Sequence, residues 1–148
     1  MDRLLLLVVV ATVAGTLAHL VQRRRPDAPV RTGWSVPQQL DRRDFDRPDA
    51  PWLVAVFTSA RCETCSSVVE VAGPLESEAV AFHEVEAGAR KDLHDRYAVE
   101  AVPMVLLVDA VGVVRSHHLG PVSATHLWGS LAELRQPGCT PDGCSAGD

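Results

Sequence analysis

The sequence predicts an α/β fold: a mixed central β-sheet flanked by helices, preceded by a single N-terminal transmembrane helix. Three observations carry that expectation. Residues 52–58 (WLVAVFT) and 104–108 (MVLLV) are continuous apolar runs, the signature of strands buried on both faces. Segments of helical spacing alternate with the strands, in the order β, α, β, α, β, β, α. Residues 4–21 carry no formal charge over 18 positions.

Composition narrows the function classes. There are 14 Lys+Arg against 19 Asp+Glu, a formal net charge of −5. Outside the N-terminal third there is no basic stripe, which argues against a nucleic-acid partner. With 47% hydrophobic and 22% charged residues the chain is not disordered. Four cysteines in 148 residues are too few for a disulfide scaffold. They suit one or two redox pairs, or one zinc site.

The apolar N-terminal stretch would span about 27 Å as a helix, close to the hydrocarbon thickness of a bilayer. It reads as a transmembrane anchor over residues 1–22. The rival is a cleavable signal peptide, with a short charged start and a poor small-residue site at Thr16-Leu17-Ala18. Arg23, Arg24 and Arg25 follow the stretch, whereas only Arg3 precedes it. The positive-inside rule therefore places the body of a single-pass protein on the cytoplasmic side, the alternative being extracytoplasmic. Residues 23–35 form a polar, proline-bearing linker, residues 36–135 the folded domain, and residues 136–148 a flexible tail with two cysteines.

Within the domain, residues 36–45 predict a short helix anchored by Leu40 and Phe45. Residues 52–58 form the first strand. A helix is expected from Cys62 to about residue 78, with Val68, Val69, Ala72 and Leu75 on its apolar side and a break at Pro74. A strand over 80–85 and a short helix over 90–97 follow. The strand at 104–108 turns at Asp109-Ala110-Val111-Gly112 and pairs with 113–119 as a hairpin. Ser123 or Thr125 caps a last helix that runs to about Arg135. Trp34, Trp52 and Trp128 read as packing residues.

Cys62-Glu63-Thr64-Cys65 is the sharpest chemical feature. Two thiols three residues apart, at a strand-to-helix junction, can close a disulfide with little backbone movement. A cysteine at the start of a helix faces free backbone N–H groups and the positive end of the helix dipole, which favour the reactive thiolate. Arg61 adds positive charge and Glu63 opposes it. The competing readings are a fixed disulfide and half of a zinc site.

The chain resembles the thioredoxin family over roughly residues 36–134. The resemblance rests on the strand-then-CxxC step at residues 57–65, Val102-Pro103 before the strand at 104–108, and Gly120 ahead of the last helix. It implies a thioredoxin-like fold and a thiol–disulfide oxidoreductase with catalytic Cys62 and Cys65. It further implies a cis peptide at Pro103, which lies against the CxxC, and substrate pairing through the backbone of Val102. Pro103, Val102 and Arg61 would shape the substrate groove. Four positions depart from the family pattern: Arg61 replaces a tryptophan, Glu63-Thr64 replaces Gly-Pro, and Val56 stands where thioredoxins bury an acid.

Cys139 and Cys144 flank Pro141-Asp142-Gly143, strong turn chemistry that would bring them together. Idle thiols, a second redox pair that exchanges with Cys62–Cys65, and four-cysteine zinc binding are the three readings. His117 and His118, adjacent on a strand, point to opposite faces and do not chelate together. The expected protein is thus a membrane-anchored, monomeric thiol–disulfide oxidoreductase that exchanges disulfides with a protein dithiol or disulfide and requires no metal or organic cofactor. A non-catalytic binding or metal-handling module with a structural CxxC is the alternative.

Overall fold

A computed structural model describes residues 34–138. The anchor expected at residues 1–22, nearly all of the linker, and Cys139 and Cys144 lie outside the described residues. Among those described, no helix is long and apolar enough to cross a membrane.

Strand β1 (Trp52–Thr58) lies inside the sheet. On one side it pairs in parallel with β2 (Val80–Glu86), on the other antiparallel with β3 (Met104–Asp109). Strand β4 (Val114–Leu119) closes the hairpin with β3, giving the spatial order β2-β1-β3-β4. The central place of β1 explains its unbroken apolar sequence. Leu53, Ala55 and Phe57 face one core while Val54 and Val56 face another, all fully buried.

Those two cores are covered differently. Helix α1 (Cys65–Ala72) and helix α3 (Ala124–Arg135) cover one face, sending Val68, Ala72, Leu127 and Leu131 into a core with Val54, Val56, Val80, Val105 and Leu107. Helix α2 (Lys91–Arg96) and the irregular chain before β1 cover the other, contributing Leu93, Leu40 and Phe45. The mixed sheet with helices on both faces matches the expectation, as does the element order.

Several local expectations are corrected. The helix foreseen from Cys62 begins only at Cys65, because the chain first makes a turn: the Cys62 N–H donates to Ser59 O (3.0 Å) and the Cys65 N–H to Cys62 O (3.4 Å). It ends at Ala72 and passes into a 3-10 turn, Gly73–Leu75, that holds Pro74, whose ring removes a helical donor. The short helix foreseen over 36–45 shrinks to one 3-10 turn, Arg42–Asp44. Gln39 bridges to Val113 and the Leu40 N–H donates to Gly112 O (2.8 Å), which draws this backbone out straight. Leu40 and Phe45 are nevertheless buried as expected. The Asp109–Gly112 turn is tight because Gly112 has φ +87; a Cβ there would lie 2.1 Å from the Leu40 carbonyl oxygen.

Trp34 and Trp128 are exposed at 54% and 45%, so they are not core residues. Trp128 still serves packing: its indole N–H donates to Val71 O (2.9 Å) and ties α3 to α1. Arg42, unremarkable in the sequence, is buried. Its guanidinium donates to Asp109 O (2.8 Å) and Ala50 O (2.9 Å), fastening the 3-10 turn to the sheet. Ser123 is the cap of α3, its hydroxyl accepting from the His126 N–H (3.3 Å).

Candidate redox site

β1 ends at Thr58, and residues 59–64 carry the chain from the sheet into α1. At this step Cys62 and Cys65 are joined by a disulfide, with Cα atoms 5.5 Å apart. Cys65 is the first residue of α1 and only 4% exposed, whereas Cys62 sits in the loop and is half-buried. Thr64 caps the helix without a side-chain bond to it. The two linked sulfurs therefore share the N-terminus of α1, where backbone N–H groups and the dipole favour negative charge. Of the pair, Cys62 is the residue more open to solvent.

The Val102–Pro103 peptide is cis, and Pro103 is buried. The β1–β3 ladder ends at Phe57↔Met104, so Pro103 follows at the end of β1 from which the cysteine loop departs. Its carbonyl accepts the Gly120 N–H (2.8 Å). Val102 is half-buried against the Leu40–Phe45 core. Arg61 is exposed, its backbone N–H donating to the Ser59 hydroxyl (3.3 Å).

A cleft of about 340 Å³ opens beside the disulfide, lined by Cys62, Cys65 and Ser66 together with Thr58, Glu84 and Glu86. Arg61, Val102 and Pro103 do not line it. Sequence reasoning singled out the cysteines and missed the carboxylates. Their signal was period two. Parallel pairing sets Glu84 level with Val56 and Glu86 level with Thr58, so both acids stand on the α1 side of the sheet.

The carboxylates differ in what holds them. Glu86 accepts from the Ala60 N–H on one oxygen (3.0 Å), and from the Ala89 (2.9 Å) and Gly88 (2.8 Å) N–H groups on the other. These bonds, led by that of Ala60, hold its carboxyl below the usual range and tie the cysteine loop to β2. Glu84 receives the Thr58 hydroxyl (2.8 Å). Val56, where thioredoxins bury an acid, is fully buried among Val54, Val68 and Val105.

Among the described residues no group of three His, Cys, Asp or Glu side chains is placed to hold a metal ion. His117 and His118 do face opposite sides of the sheet, level with Leu106 and Val105. Burial, followed by the neighbouring His117 and His126, pushes the His118 imidazole below its ordinary value. A larger cleft of about 510 Å³, lined by Arg42, Arg96, Tyr97 and Val111 among others, lies at the opposite end of the sheet, beside the Asp109–Gly112 turn.

No family model matches the chain, and no curated protein matches it. Solved structures do. A mutant thioredoxin from Halobacterium salinarum is similar at 21% identity over 69% of this chain and 95% of its own, with a TM-score of 0.53. A malarial protein is similar at 16% identity over 58% of this chain and 98% of its own, with a TM-score of 0.51. The domain thus has a thioredoxin-like α/β fold.

Proposed function

We propose that the chain is a membrane-anchored thiol–disulfide oxidoreductase. The observation that carries the reading is the Cys62–Cys65 disulfide at the β1–α1 junction, with Cys62 half-buried and Cys65 buried. In the reduced protein the Cys62 thiolate attacks a protein disulfide, and a mixed disulfide forms. Cys65 then attacks Cys62 and releases the reduced substrate. Run backwards, the same steps oxidise a dithiol. The backbone of Val102, with Pro103 and Arg61, forms the groove for the substrate chain. The uncharged stretch at residues 4–21 supplies the anchor, with the domain on the arginine-rich, cytoplasmic side.

Insulin-disulfide reduction by the full chain in detergent, with dithiothreitol as electron source, tests the reading. Wild type should accelerate insulin precipitation, and Cys62→Ser should fall to the uncatalysed rate while keeping its circular dichroism spectrum. A wild type no faster than dithiothreitol alone would leave the CxxC as a structural bridge in a binding module.

A further inference from the structure

Resolution of a mixed disulfide needs Cys65 as a thiolate, yet Cys65 is 4% exposed and burial favours the protonated thiol. The helix N-terminus lowers that cost but does not remove the proton. A proton acceptor is needed within the site, and Val56 offers none.

The groups facing the cleft that titrate are Glu84 and Glu86, joined by the two thiols once the bridge is reduced. From β1 comes the Thr58 hydroxyl, and from α1 the Ser66 hydroxyl. Arg61 and Glu63 flank Cys62 within the loop and are exposed. Glu86 is committed elsewhere: three backbone N–H groups occupy its two oxygens and hold it ionised. A carboxylate so stabilised takes up a proton poorly. Glu84 carries one hydrogen bond, from the Thr58 hydroxyl, and no ion pair with a cation among the described residues. It stands one strand over from Val56 in the same register, on the same face of the sheet, beside the cleft that Cys65 also lines.

We propose that Glu84 is the proton acceptor for Cys65 during resolution of the mixed disulfide. The assignment rests on the disulfide-exchange reading above. In the step, the Cys65 S–H proton passes across the cleft to the Glu84 carboxylate. The Cys65 sulfur then bonds to the Cys62 sulfur as the bond between Cys62 and the substrate sulfur breaks. The substrate leaves as a thiolate and recovers a proton, from Glu84 directly or from solvent while Glu84 releases its own proton to water. Two electrons have passed from the dithiol to the substrate, and Glu84 ends ionised. In the opposite direction Glu84 returns the proton to the departing Cys65 thiolate. The acceptor thus stands on β2, exposed to solvent, and not on the buried central strand.

The two chemical steps separate in a stopped-flow experiment with dithionitrobenzoate. The full chain is used in detergent, with Cys139→Ser and Cys144→Ser so that Cys62 and Cys65 are its remaining thiols. The first nitrothiobenzoate reports attack by Cys62, and the second reports resolution by Cys65. Glu84→Gln should slow the second release at pH 7 by about a hundredfold, the lower end of the range for loss of a general base, and leave the first unchanged. The pH profile of the second release should lose an inflection that Glu84→Asp retains. Glu84→Gln with a wild-type second release at every pH overturns the assignment, as does a fall in both releases by one factor. A wild type that gives no first release would overturn the redox reading itself.

Discussion

The two faces of the sheet reach the same burial by different chemistry. The α1–α3 face is closed by two regular helices whose contributions are apolar: Val68, Ala72, Leu127 and Leu131. The other is closed by a six-residue helix and by chain with a single 3-10 turn, and polar side chains fix it. Arg42 spans from that turn to Asp109 and Ala50, His94 holds Val85 O at 2.9 Å, and Tyr97 donates to Asp44 while accepting the Asp41 N–H. A regular helix satisfies its own backbone and needs only a greasy side. Irregular chain does not, so side chains must supply partners for its carbonyls and amides.

Substitutions on each face sharpen that contrast. Leu127→Ala on the helical face should cost about 3 kcal/mol, read as a lower denaturant midpoint, because a fully buried side chain leaves a cavity between α3 and the sheet. Arg42→Met keeps much of the volume and removes the donors. It should cost about 2 kcal/mol, since the Asp109 and Ala50 carbonyls lose a charged partner. If Arg42→Met is neutral, the polar description of this face fails and its packing alone suffices.

The smallest effect is expected at Tyr97. Burial, and then its bond to Asp44, raise the phenol to about 12. This is the chain's single tyrosine, so absorbance at 295 nm reads it directly, with a midpoint near 12 in the folded protein and near 10 after unfolding. A folded value above the unfolded one gives stability that is complete below pH 10 and lost as pH rises towards 12. Tyr97→Phe should cost about 1 kcal/mol at pH 7 and flatten that alkaline loss. A folded midpoint at 10 would show the hydroxyl to be solvated.

The same contrast explains what could be read from the sequence. Strand β1 was legible to the residue, because burial on both faces writes an unbroken apolar run and Pro51 marks its start. Helix α3 was legible from Ser123 and the Leu127–Leu131 spacing. The Leu40–Phe45 segment was half legible: its two apolar anchors were visible, but the bridge from Gln39 to Val113 is a contact between residues far apart in the chain. The burial of Arg42 has no local signal for the same reason. At the site, the cysteines announce themselves by spacing. Sequence pattern alone starts α1 three residues early, because the turn hydrogen bonds of Cys62 and Cys65 compete with helical ones. Glu84 and Glu86 lie at the end of a strand whose start the pattern locates, and only the β1–β2 register reveals that they stand beside the disulfide.

In the β3–β4 hairpin, pairing runs from Met104↔Leu119 to Leu107↔Ser116 and resumes at Val108↔Val114, leaving Arg115 as an extra residue. Arg115 turns its guanidinium onto Asp109 (2.6 Å). Such a bulge rotates the strand and breaks the even spacing of its outward N–H and C=O groups. A strand from a second molecule would find only residues 116–119 in regular register along this rim before meeting an irregularity and a positive charge. At high concentration the β4 margin of the sheet is therefore a poor template for chain-to-chain stacking, a protection against aggregation built into this one of its two edge strands.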